Sequence, residues 1–135
     1  MWQAAKRQSD HVGELIKRPE FRQQPSLSDQ MDRASVSVMN NISEGFLRHH
    51  DPEFAHFLRI AAASNGELRS SLHGALGRRC LSASEAADLI ANSNAIGKMI
   101  RRLSDTLDKR PRSEKARGLR TKNKGPTKDQ EQRTD

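Results

Sequence analysis

The chain of 135 residues lacks the features that would direct it out of the cytoplasm. It has a single cysteine, Cys80, so an internal disulfide is impossible, which suits a reducing compartment. No apolar run approaches the length that a membrane-spanning helix needs. The N-terminal segment MWQAAKRQSD has no apolar core of the kind found in signal peptides. We therefore expect a cytoplasmic protein without a membrane partner.

Motifs of catalysis and cofactor binding are missing as well. The sequence contains no P-loop, glycine-rich phosphate loop, CxxC pair, HExxH helix or serine elbow. β-Branched residues never alternate with polar residues over a useful length, so strand signals are absent too. These absences predict an all-α protein that is not an enzyme and needs no cofactor.

Apolar residues that recur every three to four positions predict four amphipathic helices. The first covers residues 2–18 and ends before Pro19, because a proline disfavours the helical conformation of the residue that precedes it. The second covers residues 25–48. Near its start, Ser26 and Asp29 loosely resemble a capping box, with Asp in place of the usual Glu or Gln.

Start and stop signals are clearer for the other two helices. Asp51 is a good N-cap and a proline follows it, so the third helix covers residues 52–76, with Gly77 as its C-terminal cap. Ser82 and Glu85 form a capping-box pattern that opens the fourth helix. Short loops between four helices favour an antiparallel up-down-up-down four-helix bundle.

Charge is distributed unevenly along the chain. Residues 1–108 carry 14 Lys or Arg against 13 Asp or Glu, whereas residues 109–135 carry 10 against 4. The second segment has two prolines, two glycines and one large apolar residue, Leu119. It cannot bury enough apolar surface to offset its chain entropy. We predict a bundle domain over 1–108 and a disordered, basic, flexible tail over 109–135.

Several segments of the chain resemble one known family. The order RASVSV, NNISEG, HDPEF and FLRIAAASNGEL, preceded by MWQAAK, is similar to the four-helix-bundle proteins encoded in 23S ribosomal RNA intervening sequences. That family also includes the accessory proteins of diversity-generating retroelements. The resemblance covers roughly residues 2–107, and it implies a ring-like homopentamer without enzymatic activity. Met39 departs from the pattern, since family members often carry a proline just before the NNISEG signature.

One polar face of the second helix allows two interpretations. Asn41, Glu44 and Arg48 are spaced at i, i+3 and i+7, and side chains of the same or the next helix could meet them. A satisfied network that fixes helix register is favoured over a catalytic carboxylate, because no second acid, nucleophile or base stands at a motif spacing around Glu44. The predicted network comprises Arg33, Asn41, Glu44, Arg48, Arg59 and Glu67.

The third helix carries a stripe of very small residues at a spacing of four: Ala62, Gly66, Ser70 and Gly74. The larger apolar stripe of this helix points about 120° away. The small stripe either lets two helices of one bundle approach closely or packs against a neighbouring subunit. The family resemblance favours packing between subunits.

Two further groups of residues are weaker candidates. His49, His50, Asp51, Glu53 and His56 are possible metal ligands, but adjacent histidines cannot share a helix face, so we predict no metal site. Either adjacent histidine could instead contact phosphate. Cys80 follows two arginines, and we interpret it as a small packing residue.

The tail is the predicted site of contact with nucleic acid. Cations on a flexible segment bind RNA or DNA phosphates by counterion release, and no aromatic residue is present here for base stacking. These cations are Lys109, Arg110, Arg112, Lys115, Arg117, Arg120, Lys122, Lys124 and Lys128. The favoured function is an oligomeric nucleic-acid-binding adaptor for structured RNA, or for a reverse transcriptase and its RNA template. The alternative is a protein–protein interaction scaffold with an incidental solubilising tail.

Overall fold

The structure, a computed structural model, describes residues 1–111 and confirms the predicted all-α architecture of four helices. The elements are α1 (Trp2–Leu15), a 3-10 turn (Pro19–Phe21), α2 (Pro25–Phe46), α3 (Asp51–Gly77) and α4 (Ala83–Lys109). The described part of the chain contains no strand, and none of its helices is both long and apolar enough to cross a membrane. Helix α4 ends one residue beyond the predicted domain boundary.

The two predicted capping boxes have different outcomes. At the start of α4, Ser82 Oγ accepts from the backbone N–H of Glu85 at 3.1 Å, and Glu85 Oε1 accepts from the backbone N–H of Ser82 at 3.0 Å, which confirms that box. The box predicted at Ser26 and Asp29 is wrong. Helix α2 begins directly after Gln24 with a proline, a residue that favours the first helical position because its missing N–H needs no partner there.

The third helix ends with a Schellman turn that the sequence did not predict. Gly77 is still helical, and the left-handed position belongs to Arg79, with φ of 62°. The backbone N–H of Cys80 donates to the carbonyl of Ala75 at 2.8 Å, which closes the turn. A non-glycine residue in this conformation costs about 1–2 kcal/mol. The burial of Cys80 directly afterwards holds the turn in place.

The core is divided into two apolar clusters with a layer of buried polar residues between them along the helices. One cluster is built on Val12, Leu15, Phe21, Leu27, Met31, Leu68, Leu72 and Leu89. The other is built on Val38, Ile42, Phe54, Leu58, Ile96, Ile100 and Leu107. In each helix, buried polar residues separate the part that belongs to one cluster from the part that belongs to the other. These are Gln8, Ser9, Ser35, Ser64, Asn65 and Ser93.

Helices α2 and α3 pack closely against each other on both sides of the short turn that joins them. A Cβ atom added to Gly45 would lie 2.8 Å from Phe54 Cδ1 and 3.4 Å from the Phe54 carbonyl oxygen. The rings of Phe46 and Phe54 pack with centroids 4.9 Å apart. Glycine at position 45 is therefore needed for this contact, although glycine inside a helix costs about 1 kcal/mol relative to alanine.

Candidate functional site

A buried polar network is centred on Asn65, which is fully buried on α3. Its Nδ2 donates to the backbone oxygen of Ser93 on α4 at 2.8 Å, and its Oδ1 accepts from Ser93 Oγ at 3.1 Å. Gln8 Nε2, from α1, donates to the same Oδ1 at 3.4 Å. Arg69 Nη1 donates to Ser93 Oγ at 3.3 Å. These four residues, here called the Asn65 network, join α1, α3 and α4.

The six residues predicted to form one polar network are not brought together. On the exposed side of α2, Arg33 pairs with Asp29 at 3.0 Å. Arg59 lies 3.5 Å from Asp108 on α4. Arg33 and Glu67 both line a polar groove of about 520 Å³ between α2 and α3. All three side chains are exposed, and Arg33 and Arg59 each lie beside a nearby carboxylate.

The remaining members of the predicted network form local contacts at the end of α2. Asn41 Nδ2 donates to the carbonyl oxygen of Ser37, one turn earlier, at 2.9 Å. Glu44 and Arg48 pair at 2.6 Å, again one turn apart. The Arg48 guanidinium also lies over the Phe57 ring, 4.5 Å from its centroid, so it links α2 to α3. These contacts support helix geometry, and they assemble no second acid or base around Glu44.

The small residues of α3 do not share a single environment. Ala62 lines a cleft between α3 and α4, whereas Ser70 lines the groove between α2 and α3. A Cβ atom on Gly74 would meet Leu27 at 3.6 Å, and one on Gly66 would meet only Arg69 Nη2, at 3.7 Å. A spacing of four advances about 40° per step around a helix, so the stripe winds from one groove to the next.

Asp51 and Arg110 form a buried ion pair at one end of the bundle. Arg110 Nη1 lies 3.1 Å from Asp51 Oδ2, and the two side chains are 14% and 4% exposed. Asp51 is the first residue of α3 and His50 is its N-cap, so the prediction that Asp51 caps this helix is wrong. Removing one partner of a buried ion pair is strongly destabilising, because the other charge stays buried and unpaired.

The predicted nucleic-acid-binding residues therefore divide into two sets. Lys109 is exposed in the last turn of α4, and Arg110 is held by Asp51. The others lie outside the described residues: Arg112, Lys115, Arg117, Arg120, Lys122, Lys124 and Lys128.

The histidines near the start of α3 and the cysteine have ordinary structural surroundings. His49, His50 and His56 are exposed, and His56 packs edge-on against Phe57 with centroids 5.5 Å apart. Within residues 1–111, no three side chains of the metal-ligating types come together. Cys80 is buried and its Sγ donates to the carbonyl oxygen of Glu20 at 3.4 Å. This placement fits a packing role for Cys80.

An ion pair joins the segment after α1 to the start of α4. Arg18 Nη2 lies 2.6 Å from Glu85 Oε2. The hydrogen bond from Arg18, together with the one from the Ser82 backbone, lowers the pKa of the Glu85 carboxyl from its ordinary value of 4.5 to about 2. The same carboxylate therefore completes the capping box of α4 and holds the chain that leaves α1.

A cleft between α3 and α4 gathers positive charge on the surface of the bundle. It has a volume of about 210 Å³, and Arg59, Arg69 and Arg101 line it together with Asn65 and Gly97. Its remaining lining residues are apolar or small, and no carboxylate is among them. We call it the arginine cleft.

Comparison with known families agrees with this architecture. A family model described as 23S rRNA-intervening sequence protein matches residues 1–102 of the 135-residue chain. The chain belongs to this family. The resemblance noted in the sequence is thereby confirmed, and the match ends before the basic segment begins. Comparisons of this 23S rRNA-intervening sequence protein with curated proteins and with solved structures gave no match.

The Asn65 network of this 23S rRNA-intervening sequence protein was missed in the sequence, although a signal for it exists. Asn65 lies four residues after Ala61 and three before Leu68, and both of these are buried. A polar residue at that spacing falls on the apolar stripe of α3, where burial obliges it to find hydrogen-bond partners. Ser93 likewise lies between the buried Leu89 and Ile96 of α4.

Proposed function

We propose that this 23S rRNA-intervening sequence protein is a non-catalytic adaptor that binds nucleic acid through the phosphate backbone. The observation that carries the proposal is the separation of charge along the chain. Residues 109–135 have a net charge of +6, whereas residues 1–108 have a net charge of +1. Lysines and arginines concentrated in this way release condensed counterions when they neutralise phosphates, which binds RNA or DNA with little reading of sequence.

The ion pair between Asp51 and Arg110 fixes where the basic segment begins. It anchors the chain directly after α4 against the first turn of α3, so the segment leaves from the end of the bundle where α2 joins α3. Arg110 therefore belongs to the bundle, and the proposed contacts with phosphate are assigned to Lys109 and to the cations from Arg112 onwards. The basic segment thus supplies most of the net positive charge, whereas the four helices build the bundle.

The proposed assembly is a homo-oligomer, and the family resemblance implies a pentameric ring. Gly66 supports this assembly, because a side chain there would meet only Arg69 of the same helix, which leaves room for a neighbouring subunit. Joining several copies would place several basic segments on one nucleic acid and raise the overall affinity by avidity. The partner would be structured RNA, or a reverse transcriptase together with its RNA template.

Within each subunit we propose the antiparallel up-down-up-down topology. Three contacts between helix ends support it. Arg18, just after α1, meets Glu85 in the first turn of α4. The last turn of α2 meets Phe54 near the start of α3, and Asp51 at the start of α3 meets Arg110 just after α4.

RNA binding by the full chain and by a chain truncated after Pro111, measured across a salt series, tests the proposal. The truncation keeps Arg110 with Asp51 but removes eight lysines and arginines. We expect weaker binding and a smaller slope of log K against log salt, because each neutralised phosphate contributes about 0.7 to the slope for a single strand. Thermal melting must show that both forms stay folded. Equal affinity and equal slopes would refute the proposed role of the tail, and no binding of RNA by either form would favour a protein-binding scaffold.

A further inference from the structure

The arginine cleft is a second basic surface, on the folded bundle itself. Of the nine residues that line it, three are arginines, none is acidic, and Leu58, Ala62 and Ile100 form an apolar wall. Guanidinium groups around a partly apolar cleft favour a ligand with anionic oxygens, because an arginine forms strong bidentate hydrogen bonds with phosphate or carboxylate.

The arginines of the cleft are held to different degrees. Arg69 is half-buried and its Nη1 donates to Ser93 Oγ at 3.3 Å, so its position is set by the Asn65 network. Arg59 is 56% exposed and lies at the limiting distance of 3.5 Å from Asp108. The exposed guanidinium of Arg101 makes no hydrogen bond or ion pair with any other residue between 1 and 111. One oriented arginine and one unpaired arginine thus face the same space.

The absence of a side chain at Gly97 keeps the cleft open. A Cβ atom at this position would lie 3.3 Å from Asn65 Nδ2 and 3.6 Å from Arg69 Nη1. A larger residue would therefore press on the buried amide and on the guanidinium that the network orients. Glycine here lets α3 and α4 approach closely and leaves Arg69 beside the opening.

From this geometry we propose that the arginine cleft binds a phosphodiester group of a single nucleic-acid strand. The volume of about 210 Å³ suits one phosphate with its attached sugar, which would lie against the apolar wall. This inference rests on the proposed function and adds to it a defined phosphate site on the bundle. Lys109 follows Arg101 by eight positions, a rise of about 12 Å along α4, so the cleft and the start of the basic segment can contact one strand.

A pair of neighbouring arginines gives a matched experiment in the full-length protein. Arg101 lines the cleft, whereas Arg102 is also exposed on α4 but does not line it. Arg101→Gln and Arg102→Gln remove the same charge one residue apart, so they lower long-range attraction equally. We expect Arg101→Gln to weaken binding of a 12-nucleotide single-stranded RNA about tenfold, and Arg102→Gln to weaken it less than about twofold.

The outcomes separate this inference from the proposed function. Equal losses in the two variants would overturn the phosphate site and leave the tail as the binding element. If the unmodified protein binds no RNA at all, the proposed function itself fails. The last measurement is the thermal stability of the protein with inorganic phosphate as the added ligand. Protection by phosphate that Arg101→Gln abolishes, combined with equal RNA binding by both variants, would make the cleft a site for free anions and would refute the nucleic-acid assignment.

Discussion

Replacing Asn65 with alanine removes the centre of the buried polar layer. The substitution deletes three side-chain hydrogen bonds, two with Ser93 at 2.8 and 3.1 Å and one from Gln8 at 3.4 Å. Each is worth about 1 kcal/mol net, and the buried Gln8 amide, left without a partner, adds about 1–3 kcal/mol. The higher helix propensity of alanine offsets about 0.5 kcal/mol of this loss in stability. We therefore expect Asn65→Ala to lower the free energy of unfolding by about 3.5–5.5 kcal/mol.

Urea unfolding followed by circular dichroism measures this loss. With an m-value of about 1–3 kcal/mol per molar urea, the midpoint should fall by at least about 1 M. Asn94→Ala is the control, because Asn94 is exposed on α4 and the substitution is chemically the same. Protein concentration must be equal throughout, since the proposed assembly would contribute to apparent stability. A difference between the two variants of less than about 0.5 kcal/mol would refute the structural role of the network.

Three further predictions address assembly, packing and pH. Gly66→Leu should stay folded but lose its oligomeric state in light scattering; a folded variant of unchanged mass would show that this position does not pack between subunits. Gly45→Ala should destabilise by about 1–3 kcal/mol through overpacking, whereas Gly13→Ala, where no atom lies within 4 Å of the added carbon, should stabilise by about 1 kcal/mol in the same denaturation assay. Because the pKa of Glu85 is lowered in the folded protein, its carboxylate stabilises the fold above pH 4.5, and this contribution is lost as the pH falls towards 2. Acid unfolding of Glu85→Gln should therefore show a flatter pH dependence in that range. An unchanged profile would contradict this assignment.

The helices could be predicted from the sequence because they depend on local patterns. The periodic apolar stripes and the capping box at Ser82 and Glu85 report interactions within one helix, and the structure confirms them. Asp51 shows the limit of such reasoning. As a residue before a proline it reads as an N-cap, but its partner is Arg110, which lies 59 positions later in the sequence. No local pattern encodes a contact of that separation.

The polar residues were harder to interpret for the same reason. Glu44 and Arg48 share a helix face, as their spacing predicts, but that face is turned towards solvent and Phe57. The sequence around Asn65 gives little sign of its role, because one asparagine among alanines and a glycine is typical of an exposed polar face. Its role depends on Ser93, which becomes its neighbour only when α3 and α4 pack together.

The ion pair that closes the end of the bundle also sets an order of events during synthesis. Asp51 leaves the ribosome long before Arg110, because 59 residues separate them. At about 5–20 residues per second, that gap lasts between about 3 and 12 seconds. Until Arg110 has been made, Asp51 lacks the partner that it has in the folded bundle. This contact between the two ends of the helical domain can therefore form only when all four helices have been made.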